Sequence, residues 1–266
     1  MSYAIKKLEE ELEIEIFTRE GYRPQLTAEG KAIYEKAKLL LLQADELEQL
    51  GKHLSMGYEG EIRLAINAIC SFSNVIKVLN RFAIENPMCP VKLSVENLGG
   101  SIERLLDREG DLVLSELVDF NDQLEAVPWT KIKFLPVAAP GYPPSLSKSP
   151  LQKSDMLQYV QIIVSDSSQH SEKKTAGVLK GSRRWTVNDF SIKRNLLEAG
   201  SGWGMMPQHM IQKELESGQL VVLNYLSTSL TETMFYLVCR TDTIVGQVAE
   251  KLWNALKDLG AGKITS

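Results

Sequence analysis

Ile5, Leu8 and Leu12 recur at helical spacing with Lys and Glu between them, so the chain opens on an amphipathic helix. At Glu11 the period shortens. Leu12, Ile14 and Ile16 alternate with Glu13 and Glu15, which predicts a short strand with one buried face. Arg19-Glu20-Gly21-Tyr22-Arg23-Pro24 is punctuated as a turn, and Thr27 ahead of Ala28, Glu29 and Gly30 has the chemistry of a helix N-cap. A long helix is predicted from there to about Met56. Ile33, Ala37, Leu40, Ala44, Leu47 and Leu54 fall at alternating four- and three-residue steps, and Gly51 fills the remaining seam position. Two readings stand: the helix packs on its own domain, or it pairs with a second copy. The second is preferred, because a helix far longer than the usual 11–12 residues or so has few other ways to cover its seam.

Past Gly57 and Gly60 the pattern becomes strand–helix–strand. Strands are predicted at 61–66, 91–96 and 111–115, with helices carrying Val75, Val78, Leu79 and Phe82, then Ile102, Leu105 and Leu106. That is a βαβαβ unit with parallel pairing. Pro140, Pro143 and Pro144 interrupt it. A second unit follows: a strand at 160–164, a helix around 192–197, a short strand at Met205-Met206 and a helix behind Pro207. Strands at 220–223 and 233–238 come next. A closing amphipathic helix carries Val245, Val248, Leu252, Leu256 and Leu259. The body therefore reads as two α/β lobes with a cleft between them.

Composition adds exclusions. The 266 residues are 44% hydrophobic and 24% charged, enough to bury sizeable cores. No apolar stretch approaches the roughly 18 residues of a membrane span, and the N-terminus is too charged for a signal peptide. Cys70, Cys89 and Cys239 lack paired spacing, so neither a disulfide framework nor a metal site is expected, and a reducing cytoplasm fits. Net charge is −4, and residues 1–38 carry seven basic side chains against eight Glu, so a nucleic-acid surface must be a local patch.

No G-x-S-x-G elbow, Walker loop or H-E-x-x-H occurs, so no catalytic residues, cofactor or metal are expected and the chain does not read as an enzyme. Gly200, Gly202 and Gly204 follow a helix and enter a strand, the reverse of a phosphate-cradling turn. Three loops are better placed for a ligand, since open parallel sheets bind at the carboxyl ends of their strands. They are 67–73, Ser115-Glu116 and Ser165-Asp166-Ser167-Ser168. Each serine has N-capping as its plainer role.

These pieces resemble a LysR-type transcriptional regulator. Residues 2–12 are similar to the family's recognition helix. Phe17, Arg19, Gly21, Arg23, Leu26-Thr27 and Gly30 match the wing and the entry to the linker helix. Residues 60–64, 110–114 and 199–207 match three effector-region patterns in order. The resemblance implies an α/β fold class with a partial winged helix-turn-helix over 1–27, a linker and dimerisation helix over 28–58, and a two-lobed periplasmic-binding-protein-like effector region over 59–266. Lobe one would take 61–137 and 239–260, lobe two 138–238. Glu13 stands where the family usually has Gly, so a less sharply stopped helix is expected. The family also places a first helix upstream of residue 1, so a truncated or reduced DNA-binding head is expected.

The resemblance further implies a cytoplasmic regulator that binds DNA as a homodimer or tetramer and responds to a small-molecule effector between the lobes. The alternative is a ligand-binding, dimerising module without autonomous DNA binding. DNA contacts are expected from Ser2, Tyr3, Lys6, Lys7, Arg19, Arg23 and Thr27. Dimerisation falls to Ile33, Ala37, Leu40, Ala44, Leu47 and Leu54. Ser71, Phe72, Ser115, Ser165 and Trp203 are expected to line the effector site, joined by Ala68, Asn97, Asn188 and Gly202. Trp203 has the alternative of packing its own turn. No arginine sits in these loops, so a neutral effector stays open.

Overall fold

A computed structural model describes residues 3–18, 24–55, 59–116, 122–225, 232–242 and 246–260. They divide into two compact units, Met1–Gly57 and Tyr58–Ser266.

In the first unit, α1 (Tyr3–Leu12) is the expected amphipathic helix. The alternation from Leu12 to Ile16 is not a strand. The chain instead turns at Glu13 (φ 53°), and the Ile14 N–H reaches back to the Glu9 carbonyl at 3.2 Å. That is the Schellman closure of a helix end, reached with a Glu in the left-handed position that glycine usually takes. So the helix stops sharply despite the missing glycine. The Glu9 carboxylate then accepts the N–H groups of Ile16 (2.8 Å) and Phe17 (3.1 Å), aiming the chain into β1 (Phe17–Thr18). β1 pairs antiparallel with β2 (Gln25–Leu26). The Thr27 hydroxyl accepts from the Gly30 N–H at 2.8 Å, the cap expected of it, and opens α2 (Ala28–Ser55). Gly30 is required there: a Cβ would lie 2.0 Å from the Ile16 carbonyl oxygen.

The second unit is built on one mixed sheet. Its strands are β3 (Ile62–Asn67), β4 (Val91–Glu96), β5 (Leu112–Ser115), β6 (Leu124–Ala138), β7 (Val160–Val164), β8 (Arg183–Val187), β9 (Trp203–Pro207), β10 (Val221–Val222) and β11 (Glu232–Arg240). Their order is β4-β3-β5-β11-β6-β9-β7-β8, with β10 also on β6. The helices are α3 (Phe72–Glu85), α4 (Gly100–Leu106), α5 (Lys153–Met156), α6 (Phe190–Glu198), α7 (Gln212–Ser217) and α8 (Gln247–Gly260). As the sequence pattern indicates, β3 is parallel to both β4 and β5; β7 is likewise parallel to β8, a strand the sequence reading did not include.

Two elements escape the pattern. β6 carries Pro128 and Pro136, which mask a 15-residue strand. Pro128 is tolerated at a bulge, where the register against β11 shifts between Phe235 and Tyr236. β8 has no period-two burial, being exposed at its first four residues. The first ten residues of β6 pair with β11 and the last five with β9. The boundary expected at 238/239 falls inside β11, whose register runs unbroken past it to Arg240.

The core gathers Ile62, Leu64, Ile66, Leu112, Leu114 and Phe235 from the strands, with Val75, Phe82, Leu252 and Leu256 from α3 and α8. Among the described residues, no helix is long and apolar enough to cross a membrane. The three cysteines are free and buried, and burial pushes the Cys70 thiol up to about 12.

Candidate functional site: a polar cavity at the strand ends

The parallel strands β3, β4, β5 and β7 end around one cavity. Asn67 ends β3, Asn97 and Leu98 follow β4, Glu116 follows β5, and Val164 ends β7. Phe190 and Lys193 of α6, Met205 of β9, Phe134 of β6, Thr233 of β11, and Ile69, Ala176 and Gly177 complete the wall. The cavity measures about 60 Å³.

Its polar groups are unusual for an interior. Lys193 is buried and gives one N–H to the Met205 carbonyl at 2.8 Å, while its ammonium sits 5.5 Å from the centre of the Phe190 ring. Burial pushes its pKa down to about 7. Glu116 is pushed up to about 7, by burial first and by Asp166 secondarily; bonds from its own N–H and the Asn67 side chain, with the Lys174 charge, oppose this. The Glu116 Oε2 and Asn97 Oδ1 atoms are buried without a hydrogen-bond partner. The Asn97 amide orientation is fixed, because its Nδ2 donates to the Asn188 carbonyl at 2.8 Å. Buried polar atoms nearly always have partners, so orphans on a cavity wall call for a partner from within the cavity, an ordered water or a ligand. Leu98 adds a third sign: it holds φ 49°, a left-handed conformation that costs a non-glycine residue about 1–3 kcal/mol and recurs at binding sites.

Beside the cavity, the segment after β7 is clasped to α4. The Glu103 carboxylate accepts the N–H groups of Gln169 (2.5 Å), His170 (2.8 Å) and Ser171 (2.7 Å). Burial would raise its pKa, but these bonds prevail and hold it at about 2. Ser167 donates to Glu96 (2.7 Å) and accepts the Asn97 N–H (2.9 Å).

Of the effector residues expected from the sequence, Asn97 lies on this wall. Ala68 sits between the wall residues Asn67 and Ile69, donating its N–H to the Glu96 carbonyl (2.7 Å), and Ser115 is directly before Glu116, bonded to Ser101 (3.0 Å). Ser71 precedes α3 without a side-chain cap bond, and Phe72 packs on the core. Ser165 bonds the Val187 carbonyl through its N–H, and Asn188 is exposed, contributing its carbonyl to Asn97. Gly202 is a packing position, where a Cβ would lie 2.6 Å from the Val160 carbonyl oxygen. Trp203 is sealed in the core at 1% exposure, edge-on to Tyr225, as its plainer role anticipates.

The wall draws on the strand-end loops that topology points to, but it takes Asn67 and Glu116 from them rather than their serines. Lys193 carries no such signal, for it sits mid-helix among residues that read as an ordinary amphipathic pattern.

In the first unit, Tyr3, Lys6 and Lys7 are exposed on α1, the two lysines facing Glu10 (4.0 Å) and Glu11 (3.7 Å). Thr27 caps α2. Ser2, Arg19 and Arg23 lie outside the described residues. Along the α2 seam Ile33 is half-buried, while Ala37, Leu40, Ala44 and Leu47 are exposed, Leu40 at 65% and Leu47 at 70%. The Leu54 side chain lies outside the description.

Residues 56–261 match the family description "LysR substrate binding domain". The HTH-type transcriptional regulator YhaJ of Escherichia coli is 29% identical over 231 residues, covering 86% of this chain and 77% of YhaJ. CrgA, a LysR-type transcriptional regulator from Neisseria meningitidis, superposes with a TM-score of 0.56 at 20% identity, over 96% of this chain and 87% of CrgA. The CcmR regulatory domain from Synechocystis, solved in complex with 2-PG, gives 0.59 at 15% identity, over 76% and 98%. With a family match across most of its length and a regulator at near 30% identity, the chain belongs to the LysR family of transcriptional regulators.

Proposed function

We propose that the protein regulates transcription in response to a small molecule held in the cavity ringed by Asn67, Asn97, Glu116 and Lys193, that α2 pairs two copies, and that α1 with the β1–β2 wing reaches DNA. The observation that carries the ligand reading is the pair of buried, unpartnered acceptors on the cavity wall, Asn97 Oδ1 and Glu116 Oε2. The 2-PG complex of the similarly folded CcmR domain supports it as a precedent. The pairing reading rests on the uncovered leucines of α2, since a lone apolar seam of this length is an aggregation liability.

A thermal-shift screen of small metabolites tests the ligand reading, because a compound that binds only the folded state raises its melting temperature by mass action. The stabilising compound should lose its effect on Val164→Phe, which fills the cavity. An undiminished shift in that variant refutes the cavity as the effector site.

A second reading has its own observation. No residue of α1 is buried, and Leu8 and Leu12 are 39% and 45% exposed, so the helix lacks the packed support that fixes a recognition helix in the groove. On this reading the chain is a ligand-binding, dimerising module that reaches DNA only in company with another regulator. Gel shifts with the whole chain decide between the two. Specific retention whose affinity falls with salt supports the first, and Arg23→Ala should then flatten the salt slope by about 0.9 for each phosphate no longer neutralised. Retention that is absent at every salt concentration supports the second.

A further inference from the structure

The cavity wall carries two ionisable groups of opposite sign that do not pair with each other. Lys193 receives no shift from any carboxylate, burial being its single perturbation, and Glu116 is influenced by Asp166 and Lys174 rather than by Lys193. Nor does an ion pair within 4.0 Å join them among the described residues. Two such groups buried in one wall would normally be brought together, because each alone pays the cost of desolvation.

Each also has bonding capacity left over. Lys193 uses one of its three N–H donors on the Met205 carbonyl. Glu116 keeps Oε2 free, and Asn97, 8% exposed, keeps Oδ1 free on the same wall. The wall therefore offers unpaired acceptors, and separately a donor with capacity to spare. The same wall carries the apolar side chains of Ile69, Leu98, Phe134, Phe190 and Met205.

From this arrangement, which rests on the cavity being the effector site, we infer that the effector is a small amphoteric molecule, presenting an amine to Glu116 and Asn97 and a carboxylate to Lys193. The cavity is small, about 60 Å³, which favours a compact ligand. Burial disfavours the charged form of both wall groups, raising Glu116 and lowering Lys193, and delivery of the opposite charge restores it in each. A carboxylate alone leaves the Glu116 and Asn97 oxygens unpaired, and an amine alone leaves Lys193 short of acceptors; each shortfall penalises binding.

Titration calorimetry of the full chain with alanine and β-alanine, against propionate and propylamine as half-molecules, tests the inference. At least one amino acid should bind about tenfold or more tightly than either half. Glu116→Gln should remove its advantage over propionate, and Lys193→Met its advantage over propylamine. Three results overturn the inference: no heat with either amino acid, propionate or propylamine binding as tightly as the better amino acid, or amino-acid affinity unchanged in Glu116→Gln. Val164→Phe separates this failure from that of the underlying reading. Probe binding abolished by Val164→Phe but indifferent to Glu116→Gln leaves the cavity as the effector site with another ligand class. Binding undiminished in Val164→Phe removes both.

Discussion

The two units misplace their side chains in opposite senses. Along α2, Leu39, Leu40, Leu41, Leu42 and Leu47 are all more than half exposed, so apolar groups stand in water. Around the cavity, Lys193, Glu116 and Asn97 are polar groups withdrawn from water without full pairing. Either arrangement costs free energy in an isolated chain, and each cost would be recovered by a different kind of partner. An exposed leucine row recovers it by non-directional burial, for which a second identical surface suffices. Buried donors and acceptors recover it only from a molecule whose own atoms meet them in position. The helix therefore specifies little beyond an apolar stripe, whereas the cavity specifies a chemical structure.

This contrast can be broken experimentally. The largest effect is expected for Leu40→Lys with Leu47→Lys, which puts charges into the seam and should turn dimers into monomers in sedimentation. An unchanged oligomer would mean that the exposed seam is not the pairing surface. Replacing Glu116 with Leu should do the reverse of what core substitutions usually do. By removing a buried oxygen without a partner, it should stabilise the ligand-free protein against urea by about 1–3 kcal/mol, while abolishing the response to effector. A loss of stability would show that Glu116 serves the fold.

Glu103→Gln probes the clasp beside the cavity. It should cost about 2 kcal/mol at neutral pH, the value of bonds to a charged acceptor. The sign of the pH dependence follows from the lowered pKa of Glu103. Its contribution is fully present above the ordinary carboxylate range and is lost as pH falls from about 4.5 toward about 2. The melting temperatures of parent and variant should therefore converge in acid, and a constant gap would contradict the assignment. The smallest effect belongs to Glu13→Gly. Relieving a left-handed non-glycine residue should stabilise the first unit by about 1 kcal/mol, read as a higher urea midpoint for α1 and α2.

What the sequence disclosed follows the same division. The period of Ile5, Leu8 and Leu12 marks α1, the heptad steps mark α2, and β4 and β7 are found to the residue, because the spacing of apolar side chains is itself local order. Where local order is overruled, the reading fails. Leu12, Ile14 and Ile16 alternate like a strand, yet the turn at Glu13 and the Glu9 carboxylate decide the backbone. β6 hides behind Pro128 and Pro136, and β8 is exposed along most of its length. At the site, strand ends are predictable from topology, so the loops holding Asn67 and Glu116 could be named. Whether a serine or its neighbour faces the cavity depends on one residue of register, and Lys193 meets the wall only through the packing of α6.

The placement of β11 bears on how the protein is made. This strand, residues 232–240, inserts between β5 and β6, more than 90 residues earlier in the chain. While the polypeptide is emerging from the ribosome, β5 and β6 cannot be joined, and each presents an open row of N–H and carbonyl groups until the last tenth or so of the chain arrives. Closure of the first half thus waits on its most distant segment, a source of slow folding. A message that stops before residue 232 yields a nascent protein with two adhesive edges, so premature termination late in the gene should send the product to aggregates and proteases rather than leave a working fragment.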